Sequence, residues 1–97
     1  MFRLVTSTRA RDGRVGEAIA ALKELTAFVA AKYNFKPEIY VQQFGPAHVI
    51  YSITDVNDLS TVQVLHEKWM LDEGLRALVQ KADVFIEPPT TALLRSV

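Results

Sequence analysis

The chain has no cysteine, which excludes disulfides and thiolate metal sites. It has no apolar run near the roughly 18–20 residues that span a bilayer, so no membrane partner is expected. Its first residues, Met1-Phe2-Arg3-Leu4-Val5-Thr6, lack the long apolar region of a signal peptide, and the expected location is cytoplasmic. Neither sign of charge is in excess: 11 Lys+Arg balance 11 Asp+Glu, against general polyanion binding. Walker and Rossmann glycine motifs are missing, as is the Lys/Arg-Gly-aromatic pattern of sheet-based RNA-binding domains. No nucleic-acid partner is expected. What remains is 97 residues, 49% hydrophobic, too apolar for disorder. That length fits one domain over residues 1–97. A domain of this size buries roughly 60–65% of its unfolded surface, enough for one core.

The hydrophobic period changes along the chain. From Phe2 to Ala10 it is two: Phe2, Leu4, Thr6 and Thr8 share one face, with Arg3, Val5, Ser7 and Arg9 on the other, as in a strand. Arg11-Asp12-Gly13 breaks it. Between Arg14 and Tyr33, residues Val15, Ala18, Ile19, Leu22, Leu25, Val29 and Tyr33 recur at helical steps. Asp12 is the expected N-cap. Phe28 falls off the stripe, either as a singly exposed aromatic or as a contact with a second subunit. Asn34-Phe35-Lys36-Pro37 ends the helix.

Glu38–Phe44 and His48–Thr54 read as two strands of a hairpin. Gly45-Pro46 is a poor two-residue primed turn, so a loop of three or more residues is expected. An even register sorts the faces. Ile39, Val41, Val49, Tyr51 and Ile53 then share one, and Tyr40, Gln42, Phe44, His48, Ile50 and Ser52 share the other.

Asp55-Val56-Asn57-Asp58 is expected as a loop, and Ser60 to Gln63 has capping-box spacing. Leu59, Val62, Leu65, His66 and Trp69 form one helical stripe, whereas Leu71, Leu75, Leu78 and Ala82 fall almost opposite it. One helix cannot turn its buried face by half a revolution. Two helices are predicted, about 59–70 and 72–82, broken near Asp72-Glu73-Gly74 with Asp72 as a cap. Asp83–Glu87 is a short extended piece. Pro88-Pro89 excludes a central strand there, and Thr90–Val97 reads as the last strand.

The order β-α-β-β-α-(α)-β is the ferredoxin-like α+β order, with an antiparallel sheet covered by helices on one face. Tyr40, Phe44 and Ile50 make the other face apolar too. A second copy packed sheet to sheet, a homodimer, is the expected cover.

On this order, together with Gly13-Arg14 opening the first helix, Gln43-Phe44-Gly45 at the hairpin end and His66-Glu67-Lys68-Trp69 on the second helix, the chain resembles the dimeric α/β-barrel superfamily. Within it, the chain is most similar to antibiotic-biosynthesis-monooxygenase-like and NIPSNAP-like proteins. The resemblance implies several activities: cofactor-free monooxygenation of aromatic polyketides, haem degradation or isomerisation. Haem degradation would call for an Asn on the first strand, a Trp on the second helix and a His about ten residues later. Trp69 matches. The first strand offers Ser7 and Thr8, and position 79 is Val, which disfavours that activity.

His66 and Trp69 are neighbours on the inward stripe. With Tyr51 they are the candidate ligand-binding group, suited to a small aromatic or flavin-like ligand. His66 is the candidate general base. The alternative is a non-catalytic dimer in which these residues only fill the core. His48 and His66 lack the spacing and the third ligand of a metal site, and no cofactor is expected. Arg3, Arg9, Arg11 and Arg14 either hold an anion or form solvated surface pairs.

Overall fold

The amide of Arg14 closes a turn onto the Arg11 carbonyl at 2.9 Å, and Gly13 takes φ 74°, the positive value such a turn asks of its third residue. This turn joins β1 (Phe2–Arg9) to α1 (Val15–Tyr33) in the computed structural model, which describes residues 1–97. Asp12 is used within the turn. Arg14 occupies the cap position with no side-chain hydrogen bond, so the expected Asp12 cap is not formed. At the other end Asn34, at φ 53°, closes the helix through its amide to the Ala30 carbonyl. Asn tolerates this left-handed position better than other non-glycine residues.

There follow β2 (Glu38–Val41), β3 (Val49–Val56), α2 (Leu59–Met70), α3 (Glu73–Asp83) and β4 (Thr90–Arg95). The strands pair antiparallel in the order β2-β3-β1-β4. This is the ferredoxin-like α+β arrangement that the element order predicts. Thr8 faces Ile50, Thr6 faces Ser52 and Leu4 faces Thr54. Ile50 packs with Ala18 and Ala21 of α1 and Ala82 of α3. The inner sheet face is therefore Leu4, Thr6 and Thr8 of β1 with Ile50, Ser52, Thr54 and Val56 of β3. No helix is long and apolar enough to cross a membrane.

The hairpin departs from expectation. Ile39 faces Ser52, Tyr40 faces Tyr51 and Val41 faces Ile50, an odd register. Ile39, Val41, Ile50 and Ser52 share the inner face, and Tyr40, Val49, Tyr51 and Ile53 share the outer. The strands are also shorter than predicted, with residues 42–48 forming the loop. Phe44 at its tip is 92% exposed, not part of a sheet face. The loop is tied back to the strand: the Tyr51 hydroxyl donates to Gln42 Oε1 at 2.7 Å, and Gln42 Nε2 donates to the Phe44 carbonyl at 2.8 Å.

The helix break is where the stripe rotation puts it, between Met70 and Glu73 and within two residues of Gly74. Asp58, not Ser60, caps α2, accepting from the Thr61 amide at 2.8 Å. The Ser60 hydroxyl donates to the same carboxylate. Phe28 is half-buried and packs on this junction: a Cβ added at Gly74 would lie 3.2 Å from its ring. It thus contacts its own chain and is not a lone aromatic on the surface.

Asp72 holds the junction to α1. Its buried carboxylate caps α3 through the Leu75 amide at 3.0 Å, accepts from the Tyr33 hydroxyl and pairs with Lys32 Nζ at 2.8 Å. Lys32, then Tyr33 and the Leu75 amide, hold this carboxyl well below the usual carboxylate range. Between that depressed value and an ordinary pKa near 4, the unfolded chain binds a proton that the folded chain refuses. The stabilisation is therefore complete above about pH 5 and falls as the medium becomes more acidic. Asp72→Asn keeps a capping oxygen but has no carboxyl to titrate. Thermal melts should show the parent losing its midpoint more steeply than Asp72→Asn from pH 5 to pH 3. Asp72→Ala should melt roughly 5–10 °C lower at pH 7. Parallel acid slopes for the parent and Asp72→Asn would refute the role.

Candidate functional site

Four of the ten buried hydrophobic residues are alanines, Ala10, Ala18, Ala21 and Ala82, and Ile50 is the largest side chain fully buried. The bulkier residues stand back around a cavity of about 550 Å³ between sheet and helices. The volume lies within the range of small-molecule sites. Leu22, Leu25 and Val29 of α1 form one wall, and Leu75 and Val79 of α3 another. Phe35 also lines it, and the inner sheet face, with Ile39, is the floor.

His66, Trp69 and Met70 of α2 line the cavity from above. This helix has no buried residue. Trp69 is its main anchor, stacked obliquely on Phe35 at 5.1 Å and edge-on to Tyr33 at 6.4 Å. Its indole Nε1 is buried without a hydrogen-bond partner. His66, one turn earlier, is exposed and sits at the rim. The structure brings His66 and Trp69 to one cavity, as their shared stripe implies. Tyr51 is not with them. The odd register turns it to the outer sheet face, where its hydroxyl is engaged by Gln42.

The floor holds residues that the sequence reading did not single out. Thr6, Thr8, Ser52 and Thr54 line the cavity. The Thr6 hydroxyl meets that of Thr91 at 3.2 Å, and the Thr8 hydroxyl donates to the Glu87 carbonyl at 2.6 Å. No side-chain hydrogen bond of the chain involves Ser52, Thr54 or His66. The available signal was two small polar residues, spaced two apart between Ile50 and Val56 on a central strand.

Two charged residues also line the cavity: Arg76, whose Nη2 donates to the Met70 carbonyl at 2.9 Å, and Asp83. The N-terminal arginines are elsewhere. Arg3 pairs with Asp55 at 2.8 Å, and Arg14 pairs with Glu17 at 3.0 Å and lies over the Phe85 ring. His48 is in the hairpin turn at φ 67°, away from His66.

No protein-family model and no curated protein matches the chain. Solved structures do. A NIPSNAP domain protein from Burkholderia xenovorans superposes with a TM-score of 0.86 at 15% identity, over 100% of this chain and 95% of that one. A NIPSNAP family protein from Agrobacterium tumefaciens gives 0.84 at 18% identity, over 99% and 85% of the two chains. An antibiotic biosynthesis monooxygenase gives 0.73 at 14%, over 100% and 99%. At such identities the likeness is one of fold: the chain has the ferredoxin-like fold found in NIPSNAP domain proteins and in an antibiotic biosynthesis monooxygenase.

Proposed function

We propose that the chain is a small-molecule-binding protein that works as a homodimer and acts on an aromatic or polyketide-like compound held in the cavity, as a cofactor-independent monooxygenase or isomerase. The observation that carries this reading is an apolar space of about 550 Å³ with an imidazole and an indole on one wall. Apolar walls take up a ring system, and the indole offers it a stacking face. An imidazole at the rim can remove an acidic proton from the bound ring. Both candidate reactions begin with that step. The resulting anion is either reprotonated at another atom or gives electrons to dioxygen and bonds to it, and the peroxide so formed loses its outer oxygen as water to leave a carbonyl on the ring. The same fold in an antibiotic biosynthesis monooxygenase is consistent with this reading.

A second reading, a binding protein without catalysis, draws on His66 itself. A general base is ordinarily held in place by a hydrogen bond to its other ring nitrogen, and His66 has no such partner in the chain.

Trp69 is the single tryptophan, so its emission reports on this cavity alone. Titration with quinols, flavins and haem should show saturable quenching by a quinol or another compact ring compound. If every compound that binds leaves Trp69 emission and the surrounding backbone resonances unchanged, binding is elsewhere and the cavity reading fails.

A further inference from the structure

We propose that Ser52 and Thr54 are specificity-determining residues, whose hydroxyls bind an oxygen-bearing edge of the ligand on the cavity floor. The proposal rests on the reading of the cavity as a small-molecule site, and adds which face of the cavity recognises polarity and what it recognises.

The pattern of β3 carries it. In a sheet covered by helices on one face, the inner positions of a central strand are apolar and the outer ones polar. Here the middle of β3 is inverted. The inner row is Ile50, Ser52, Thr54, Val56, while the outer row holds Val49, Tyr51 and Ile53. Ser52 and Thr54 thus occupy two inner positions where a filled core would place Val, Ile or Leu. With Ile50, they are the residues of β3 that line the cavity, and the two of the three that are polar.

Their hydroxyls are also free. Thr6, opposite Ser52 in register, is engaged by Thr91, and Thr8 by the Glu87 carbonyl. Ser52 and Thr54 have no partner in the chain. Neither oxygen is sealed from the cavity, since the one buried side-chain polar atom without a partner is the Trp69 nitrogen. A hydroxyl in an apolar enclosure takes a partner from whatever occupies it. Each can donate and accept, so the matching group is a hydroxyl or carbonyl oxygen. Ser52 and Thr54 are i and i+2 on one strand, side by side on one face. The pair therefore suits oxygens along one edge of a flat ring, with Trp69 and His66 on the opposite side.

The test uses the full chain, 2-naphthol and its oxygen-free isostere 2-methylnaphthalene. Affinity and location are read together from amide shifts in nuclear magnetic resonance titrations. The variants are Ser52→Ala, Thr54→Val and the double variant. They remove unpartnered hydroxyls and leave the apolar packing in place, so melting temperatures should not fall. The parent should favour 2-naphthol by roughly tenfold, the scale of one satisfied hydrogen bond in an apolar site. The double variant should lose that preference while holding 2-methylnaphthalene as tightly as before. If the double variant keeps the parent's preference, or the parent binds both probes in the cavity equally, the hydroxyl pair is not the reader and the cavity reading stands. If neither probe shifts the cavity amides of the parent, the cavity reading falls and the recognition pair falls with it.

Discussion

His66→Ala is expected to slow turnover of the cavity's substrate by roughly 10²–10⁴-fold, the contribution of a positioned general base, while changing its affinity little. The two effects separate because of where His66 sits. It is exposed at the cavity rim, so alanine there opens no void in the core, and stability should stay within about 0.5 kcal/mol of the parent. The apolar walls and the Trp69 face that hold the ring are untouched. A residue that acts only in the transition state lowers kcat and kcat/KM together and leaves binding alone. The substrate for the assay is whichever ring compound quenches Trp69 most tightly and is consumed by the parent. A variant that turns the compound over as fast as the parent takes His66 out of the chemistry and favours the non-catalytic reading.

The placement of His66 on the cavity side of α2, at its rim, was legible because helical periodicity alone decides it. Residues 59, 62, 65, 66 and 69 share a stripe whatever the helix packs against. The break at Asp72 was legible for the same reason, since no single helix buries two opposite stripes. The caps were less so. Asp12 has the right chemistry but is claimed by a turn that needs Gly13, and Asp58 lies two residues before Ser60 with a stronger acceptor. The placement of Tyr51 failed for a physical reason tied to the site. Register was inferred by gathering apolar residues onto common faces, a rule that holds when the interior is filled. In β3 the inner positions 52 and 54 are polar and line a cavity, whereas the outer positions 49, 51 and 53 are Val, Tyr and Ile. The rule therefore chose the register that put Tyr51 with Ile39, one residue away from the true pairing with Tyr40. The misread strand is the one that builds the cavity floor.

Ile53→Arg is expected to convert a dimer into a folded monomer. The outer sheet face carries Ala92, Val5 and Ile53 side by side across β4, β1 and β3, with Tyr51 and Tyr40 adjoining in the next row. Tyr40 is 49% exposed and Leu94 53% exposed, and no helix packs there. Charges stand at the borders, as the Arg3–Asp55 pair and Glu38, which accepts from the Tyr40 hydroxyl. An apolar centre with a charged rim is the anatomy of an interface. A second copy across a two-fold axis covers it with the same surface. Sheet-to-sheet pairing of this kind buries well over about 1,000 Å² in total. A guanidinium at position 53 would lie near the middle of that layer on both copies. A charge buried this way costs up to about 3–5 kcal/mol, less as far as Glu38, opposite position 53 in register, pairs with it. At 1.4 kcal/mol per decade, each copy weakens association by up to roughly 10²–10⁴-fold. Because the substitution faces away from the cavity and the core, the far-ultraviolet circular dichroism of the monomer should match the parent's. Sedimentation equilibrium at micromolar concentration should give twice the 10.9 kDa chain mass for the parent and the single chain mass for Ile53→Arg. A parent that sediments only as 10.9 kDa species would mean that no second copy covers this face. An Ile53→Arg protein that remains dimeric would place the dimer contact on another surface.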